Sequence, residues 1–289
     1  MRIGIHGRDF QQRSSHFVEW VLSRLSQDKN EICVSSKFQR HFKSKTNFKF
    51  KVFEHGDNLK NLDFFISLGG DGTLLESVTY IGKNETPILG VNTGRLGFLA
   101  TTGREEIEKA LENIFKKNYS VDQRTMLRLE SEPKLFDGLS FALNDFTIMK
   151  KDSSSMITVH VFVDGELLNS YWADGVIIST PTGSTGYSLS CGGPLVFPES
   201  ENFVVTPVSP HNLTARPIVV SDKSELTFRI EGRSKKFLVS LDSRFESVSD
   251  KVKLKIKKET FKAHLVQLPD QHYFKTLRQK LNWGLDMRN

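Results

Sequence analysis

The stretch Asp63-Phe64-Phe65-Ile66-Ser67-Leu68-Gly69-Gly70-Asp71-Gly72-Thr73 decides the fold of the first part of the chain. Its apolar half predicts a buried strand, and the run 74–81 that follows has helical spacing. Glycines between a strand and a helix allow a sharp turn and the close approach of a ligand. Free N–H groups at the start of a helix suit phosphate oxygens. We therefore predict a phosphate-binding turn made of Gly69, Gly70, Gly72 and Thr73.

Asp71 is the unusual residue of this turn. A carboxylate repels phosphate unless it binds a cation or accepts a proton from an attacking hydroxyl. We interpret Asp71 as a candidate catalytic base. The alternative is that Asp71 only caps the helix that begins near Thr73.

Strand and helix signals alternate around this stretch. Apolar runs at 3–7 and 87–91 predict strands, and apolar residues at helical spacing predict helices over 17–25 and 107–114. Alternation of this kind is typical of an α/β domain with a mainly parallel sheet. We assign this domain to residues 1–120.

The pattern changes to strands and hairpins after about residue 120. A β-branched run at 157–163, the turn Asp164-Gly165 and the returning run 167–172 predict a hairpin, and further strand signals follow. We assign residues 121–265 to a mostly β domain. Phe274, Leu277 and Leu281 predict one helical face in the tail, 266–289, which we expect to dock on the first domain.

Composition narrows the function classes. The 289 residues include 26% charged residues and a net charge of +6, a balance typical of a solvated globular surface. Cys33 and Cys191 are too few for a disulfide framework. The sequence has neither a basic leader before an apolar run nor an apolar run of about eighteen residues. We expect a soluble cytoplasmic protein with no membrane or nucleic-acid partner and no dedicated metal cluster.

Two lysine-rich segments have alternative interpretations. Residues 37–51 carry six basic residues among four phenylalanines, which is compatible with stacking on single-stranded nucleic acid. The alternative is an exposed helix followed by a strand whose phenylalanines face the core. In 251–257 lysines alternate with apolar residues, as in a half-buried strand with a charged outer face.

Two further glycine loops follow predicted strands. Asn92-Thr93-Gly94-Arg95-Leu96-Gly97-Phe98-Leu99 is the first, and Ser179-Thr180-Pro181-Thr182-Gly183-Ser184-Thr185-Gly186-Tyr187-Ser188 is the second. Both place hydroxyl groups and backbone amides at the carboxyl end of a strand, where open α/β sheets bind ligands. These groups suit a sugar, a base edge and phosphates.

The turn, the first loop, the pair Asn144-Asp145, the triplet Ala173-Asp174-Gly175 and the second loop resemble the NAD kinase family, in that order along residues 63–220. The resemblance implies a two-domain fold and transfer of a phosphoryl group from a nucleoside triphosphate to the adenosine-side 2′-hydroxyl of NAD, giving NADP. It also implies Mg²⁺ or another divalent cation carried with ATP, and a homodimer or homotetramer.

The resemblance also implies roles for individual residues. Asp71 would accept the proton of the 2′-hydroxyl, with Gly72 beside it against NAD. Asn144 and Asp145 would hold the adenosine ribose, and Asp174 would bind the other end of the dinucleotide or the ligand of a neighbouring subunit. The adenine would be wrapped by Thr185, Gly186, Tyr187, Ser188, Leu189 and Ser190.

Simpler interpretations stand beside these roles. Asn144-Asp145 and Asp174-Gly175 could be plain turns, and Tyr187 could be a core aromatic. The chain also departs from the family pattern at four positions. Many relatives have Glu where this chain has Asp145 and Ala where it has Gly186; relatives often have Arg at the position of Trp172, and some have Gln at that of Arg244.

Two other function classes share some of these features. A lipid or sphingoid kinase can carry a turn like GGDGT, but it needs an apolar acceptor pocket, whereas the loops here are polar. A non-catalytic dinucleotide-binding module would bind NAD and form no NADP.

Overall fold

The computed structural model describes residues 1–8, 12–27, 30–42, 50–94, 96–152 and 155–283. It divides into two compact units. The first contains Met1–Gln123 together with Ala263–Asn289, and the second contains Arg124–Lys262.

The strands of the described residues alternate with helices in the first third of the chain and then follow one another. In chain order they are β1 (Arg2–Gly7), β2 (Glu31–Ser35), β3 (Lys51–Phe53), β4 (Phe64–Leu68), β5 (Ile88–Val91), β6 (Ser120–Arg124), β7 (Leu127–Glu132), β8 (Phe141–Ala142), β9 (Asp145–Lys150), β10 (Ile157–Val163), β11 (Glu166–Ala173), β12 (Gly175–Ser179), β13 (Asn202–Val208), β14 (Ile218–Ser221), β15 (Leu226–Glu231), β16 (Lys236–Leu241), β17 (Arg244–Ser249), β18 (Lys253–Lys258) and β19 (Ala263–Gln267).

The α-helices of the described residues lie mostly in the first unit. They are α1 (Gln12–Gln27), α2 (Ser36–Phe42), α3 (Asp71–Ile81), α4 (Ile107–Phe115), α5 (Tyr187–Ser190) and α6 (Tyr273–Leu281). None of the helices described is long and apolar enough to cross a bilayer.

The first unit is built on a seven-stranded sheet of order β3-β2-β1-β4-β5-β19-β6. Strands β1, β4 and β5 are parallel neighbours in register, with Gly7 beside Leu68 and Leu68 beside Val91. Their carboxyl ends therefore meet at one edge of the sheet. This arrangement confirms the predicted α/β class and brings the GGDGT turn and the loop after Val91 to the same edge.

The chain returns to this sheet near its end. Strand β19 pairs parallel to β5, with Leu265 beside Ile88, and α6 follows it. Leu277 of α6 is buried, with 4% of its surface exposed. The C-terminal residues of the described chain are thus part of the first unit.

The phenylalanine-rich segment is a helix followed by a strand where it is described. Phe38 of α2 is fully buried, and Phe50 packs against the core of the first unit. These contacts support the structural interpretation over nucleic-acid stacking. Residues 43–49, with Phe48, lie outside the described part.

The second unit consists of two six-stranded antiparallel sheets, β11-β10-β15-β18-β7-β8 and β14-β13-β12-β9-β16-β17. Their inner faces form one apolar core that includes Phe146, Tyr171 and Phe237. The predicted mostly β architecture is confirmed. In β18 the buried residues alternate with lysines as predicted, and Lys257 lies 2.5 Å from Glu225.

Gly90 of β5 has no room for a side chain. A Cβ there would lie 2.8 Å from Cα of Ala100 and 3.0 Å from the oxygen of Leu99. We expect Gly90→Ala to lower the free energy of unfolding by about 1–3 kcal/mol, because backbone atoms must move. Urea denaturation measures this loss. Gly94→Ala is the control: apart from its chain neighbours, no atom of a described residue lies within 4 Å of the added Cβ. Its effect should stay within about 0.5 kcal/mol, and equal effects of the two changes would contradict the prediction.

Candidate active site

The turn between β4 and α3 presents unpaired backbone donors. Gly70 is the N-cap of α3, with φ −93°, and no side chain caps this helix end. The N–H groups of Gly70, Asp71 and Gly72 make no hydrogen bond to any described residue. Such donors at a helix N-terminus attract anions, and phosphate above all.

The glycines of the turn differ in what they are needed for. A Cβ on Gly69 would lie 2.2 Å from Oγ1 of Thr73, so this glycine lets the chain pack on itself. In the part of the chain that is described, a Cβ on Gly70 would meet nothing within 4 Å, and one on Gly72 would meet only Nη1 of Arg8, at 3.9 Å. Neither packing nor a left-handed backbone requires glycine at positions 70 and 72. The open space beside these two glycines gives room for a ligand against their N–H groups.

Asp71 is the first residue of α3, and its carboxylate is held by the loop that follows β5. Oδ1 accepts the N–H groups of Leu99 (3.0 Å) and Ala100 (2.9 Å), and Oδ2 accepts that of Phe98 (2.8 Å). The interpretation of Asp71 as a plain helix cap is therefore wrong. A carboxylate has about four acceptor positions, so one position, on Oδ2, remains without a hydrogen bond from the described residues.

A cluster of charges lies at the same edge of the sheet. Glu76 of α3 accepts hydrogen bonds from Nε of Arg8 (2.6 Å) and Nζ of Lys37 (2.7 Å), and His6 lies 3.3 Å away. Burial alone would raise the pKa of Glu76, but hydrogen bonds from His6, Lys37 and Arg8 outweigh it and hold that pKa well below its usual range. Two cations are thus fixed by one carboxylate next to the turn.

In the second unit, Asn144 and Asp145 are fixed by the loop after β12. Thr180 donates its hydroxyl to the oxygen of Leu143 (2.5 Å) and its N–H to the oxygen of Asn144 (2.8 Å). A Cβ on Gly183 would lie 2.1 Å from the oxygen of Asn144. Only glycine fits this contact, which brings the second glycine loop against the Asn144-Asp145 pair.

Asp242 holds the same pair from the other side. Its carboxylate accepts the N–H groups of Leu143 (3.0 Å), Asn144 (2.8 Å) and Asp145 (3.2 Å). Three consecutive backbone donors are thereby fixed by one side chain. Asn144-Asp145 is therefore more than a plain turn. We call it the braced turn, because the carboxylate of Asp242 holds its backbone at the start of β9.

The side chain of Asp145 is unusually placed for a carboxyl group, with 7% of the residue exposed. Burial raises its pKa to about 8, and the neighbouring carboxyl of Asp242 adds to the increase. Burial also raises the pKa of Asp242, against the lowering effect of its three N–H partners. At neutral pH Asp145 therefore carries a proton and can donate a hydrogen bond.

Polar atoms converge on Gly186. A Cβ there would lie 3.7 Å from Nδ2 of Asn144 and 3.8 Å from Oδ2 of Asp145. The Oδ1 atom of Asn144 is buried and has no hydrogen-bond partner among the described residues. A buried acceptor without a partner is costly, so a ligand hydroxyl is its natural partner. Tyr187, next in the chain, is 40% exposed, so the core-aromatic interpretation is wrong.

The remaining predicted site residues differ in burial and in the partners of their side chains. Ser188 is buried, and its hydroxyl bonds that of Thr206 (2.8 Å), while Thr185 donates to the oxygen of Thr182 (3.1 Å). Leu189 is half-buried and Ser190 is exposed. Asp174 connects β11 to β12, two strands of different sheets, and pairs with Nζ of Lys150 at 2.5 Å.

Two residues with clear roles were not predicted as site residues. Asp242 lies in Leu241-Asp242-Ser243 between two strands, where an acidic residue is ordinary turn chemistry. Its φ of +52° and its three N–H partners become visible only in three dimensions. Arg244, a departure from the family pattern, donates to the oxygens of Leu139 and Phe141 and so braces the backbone before this turn.

Protonation of Asp145 makes a prediction about stability. Its pKa is about 8 in the folded chain and near the usual 3.9 when unfolded, so the folded chain holds a proton that the unfolded chain releases. Stability therefore falls as pH rises from about 4 to 8, by on the order of 1 kcal/mol per pH unit. Asp145→Asn cannot titrate, so its urea-unfolding free energy should change less between pH 5 and pH 8. Parallel profiles of the two proteins would contradict the assignment.

Comparison with known proteins identifies two domains in the order seen here. Residues 3–119 match the ATP-NAD kinase N-terminal domain, and residues 143–268 match the ATP-NAD kinase C-terminal domain. An NAD kinase of Cytophaga hutchinsonii is 51% identical over 292 aligned residues, covering 100% of both chains. An NAD kinase of Bacteroides fragilis is 40% identical, also over 100% of both chains.

Solved structures agree in fold. An NAD kinase from Archaeoglobus fulgidus in complex with ATP superposes with a TM-score of 0.74 and 28% identity, covering 98% of this chain and 99% of that one. Yeast NADH kinase complexed with NADH gives a TM-score of 0.87 at 24% identity, covering 100% of this chain and 89% of that one. The two domain matches and the full-length identities place this chain in the ATP-NAD kinase family.

Proposed function

We propose that this chain phosphorylates the 2′-hydroxyl of the adenosine ribose of NAD with a nucleoside triphosphate and releases NADP. The observation that carries the proposal is the carboxylate of Asp71, fixed by three backbone N–H groups at the start of α3 with one acceptor position left on Oδ2. A fixed acceptor beside unpaired phosphate-binding donors is what transfer to a hydroxyl requires.

The donor's phosphates bind the turn made of Gly69, Gly70, Gly72 and Thr73. The unpaired N–H groups of residues 70–72 face them, and Arg8 reaches within 3.9 Å of the Cβ position of Gly72. Arg8 and Lys37 add positive charge, since Glu76 balances only one of them. Positive charge close to the transferred group stabilises its transition state.

Mg²⁺ or another divalent cation enters with the nucleotide as part of the substrate. In the part of the chain that is described, no three His, Cys, Asp or Glu side chains are grouped to hold a metal ion. The cation bound to ATP neutralises phosphate charge during transfer. The relative from Archaeoglobus fulgidus was solved with ATP, which supports ATP as the donor.

Asp71 performs the proton transfer. Its Oδ2 first orients the 2′-hydroxyl of the ribose. It then takes the hydroxyl proton as the 2′-oxygen attacks the γ-phosphorus and the bond between that phosphorus and the leaving nucleoside diphosphate breaks. The three N–H partners keep the carboxylate from rotating during this step. The backbone N–H dipoles around Asp71 are therefore already in place and need no large rearrangement during phosphoryl transfer.

The acceptor's adenosine half binds the braced turn and the loop after β12. Asn144 Oδ1 accepts from a ribose hydroxyl, and protonated Asp145 donates to a ribose oxygen. The exposed ring of Tyr187 stacks on the adenine, with Gly186 and the backbone of Thr185, Ser188 and Leu189 around it. Ser190 hydrogen-bonds the edge of the adenine, and Asp174 contacts the other end of the dinucleotide.

The other function classes lack support. The groups around Gly186 are polar, whereas a lipid acceptor would need an apolar pocket. A pure binding module would have no use for a carboxylate with an open acceptor position beside a phosphate turn.

We further propose that the chain acts as a homodimer or homotetramer in the cytoplasm. Leu213 is 86% exposed and Phe245 is 73% exposed, and exposed apolar side chains of this size suit subunit contacts. Both cysteines are free thiols, as a reducing compartment maintains.

Asp71→Asn tests the catalytic role. The variant lacks the basic oxygen but keeps nearly the same shape, so we expect it to bind NAD and to turn over at least about a hundredfold more slowly. Calorimetric titration with NAD and an assay of NADP formation measure the two effects separately. Near-normal turnover would rule out Asp71 as the base.

Gly72→Ala tests the phosphate-binding turn. Among the described residues, the added methyl meets only Arg8. Alanine is favoured over glycine in a helix by roughly 0.5–1 kcal/mol, so the fold should be as stable or slightly more stable. The methyl occupies space meant for phosphate, so we expect the KM for ATP to rise by about tenfold or more while Tm does not fall. Gly103→Ala is the control: Gly103 lies shortly before α4 and outside the proposed site, so this change should leave the KM for ATP unchanged. An unchanged KM for ATP in Gly72→Ala would refute the placement of the donor.

A further inference from the structure

The last turn of α6 touches the loop that holds Asp71. Nζ of Lys280 donates to the carbonyl oxygen of Leu96. The same ammonium lies 5.6 Å from the ring centroid of Phe98, within the range of a cation–π contact. One side chain thus contacts the loop at two positions that are two residues apart.

Phe98 connects this contact to the catalytic carboxylate. Its ring faces Lys280, and its N–H donates to Oδ2 of Asp71 at 2.8 Å. Oδ2 is also the oxygen with an acceptor position left for the substrate. A shift of Phe98 would therefore move the oxygen that receives the proton.

The segment before α6 holds the other end of the loop. Nε2 of Gln271 donates to the hydroxyl of Thr102 at 3.2 Å. Thr102 is 1% exposed and is tied to β5 by its N–H to the oxygen of Gly90 (3.2 Å) and by its oxygen to the N–H of Asn92 (2.7 Å). The downstream end of the loop is thus anchored twice, by the sheet and by the tail.

The upstream end has weaker internal support. Within 96–100 the backbone makes one long hydrogen bond, from Gly97 to Ala100 at 3.4 Å. Residues 96–98 belong to no helix or strand. Lys280 contacts this end from outside the loop, beside the hydrogen bond from the N–H of Phe98 to Asp71.

We propose that Lys280 is a positioning residue for Asp71: it fixes Leu96 and Phe98 of the loop and, through the N–H of Phe98, the orientation of Oδ2. This inference rests on the proposed function, in which Oδ2 accepts the 2′-hydroxyl proton. Lys280 itself touches neither substrate in this scheme. Misplacement of a catalytic group by about 1 Å costs up to about a hundredfold in rate, so the effect of Lys280 belongs in kcat.

The test compares three variants of the full chain. Lys280→Met keeps the length of the side chain without the charge or the donor, and Lys280→Arg keeps both. Lys275→Met is the matched control: Lys275 is also on α6, and its Nζ bonds the oxygen of Asp270 (3.3 Å) and not a described residue of 96–100. We expect kcat to fall about tenfold in Lys280→Met, with KM for NAD and ATP within twofold of wild type, and to recover to within about threefold in Lys280→Arg. Lys275→Met should match wild type.

Two readouts separate positioning from a general structural role. In an Asp71→Asn background, Lys280→Met should cause no further loss, because no carboxylate is left to position. Hydrogen–deuterium exchange of the N–H groups of Phe98, Leu99 and Ala100 should be several-fold faster in Lys280→Met, with Tm unchanged.

The possible results are distinguishable. If wild type forms no NADP from NAD and ATP, the proposed function is wrong, while the exchange experiment still tests the contact between Lys280 and the loop. If wild type is active and Lys280→Met keeps wild-type kcat, or loses the same factor in the Asp71→Asn background, the positioning role of Lys280 is refuted.

Discussion

Three consecutive backbone N–H groups, those of Phe98, Leu99 and Ala100, hold the carboxylate of Asp71, and the chemistry of the first unit depends on this contact. It joins the start of α3 to the loop after β5 and leaves the N–H groups of the helix start free for phosphate. It also explains Gly97, where a Cβ would lie 1.9 Å from Oδ1 of Asp71. The proposed base and the proposed phosphate-binding turn thus belong to one short segment.

The second unit uses the same arrangement for a different purpose. Asp242 also accepts three consecutive N–H groups, those of Leu143, Asn144 and Asp145. Here the side chain of Asp242 braces a turn, and the proposed ligand contacts are made by the neighbouring residues, Asn144 and Asp145. Its nearness helps to keep Asp145 protonated. In both units, a carboxylate tied to a loop by backbone donors gives an irregular segment the rigidity that a binding site requires.

The sequence predicted the main strands and helices and indicated candidate site residues, because hydrophobic periodicity and glycine turns are local signals. The strand before Gly69, the helix after it and the change to β structure all follow from patterns within about ten residues. What could not be predicted depends on contacts between distant residues. Asp242 lies almost a hundred residues from the turn it braces, and Lys280 lies on a helix whose periodicity gives no hint of a contact with Leu96. Likewise, a helix cap was a fair alternative for Asp71, since nothing local indicates that its partners are residues 98–100.

The most direct measurement is a crystal structure of this chain with NAD bound. We expect the 2′-hydroxyl oxygen of the adenosine ribose to lie about 2.6–3.2 Å from Oδ2 of Asp71, with the hydrogen bonds of Phe98, Leu99 and Ala100 to the carboxylate retained. A bound dinucleotide whose 2′-hydroxyl is well out of reach of residue 71 in every copy would contradict the central claim.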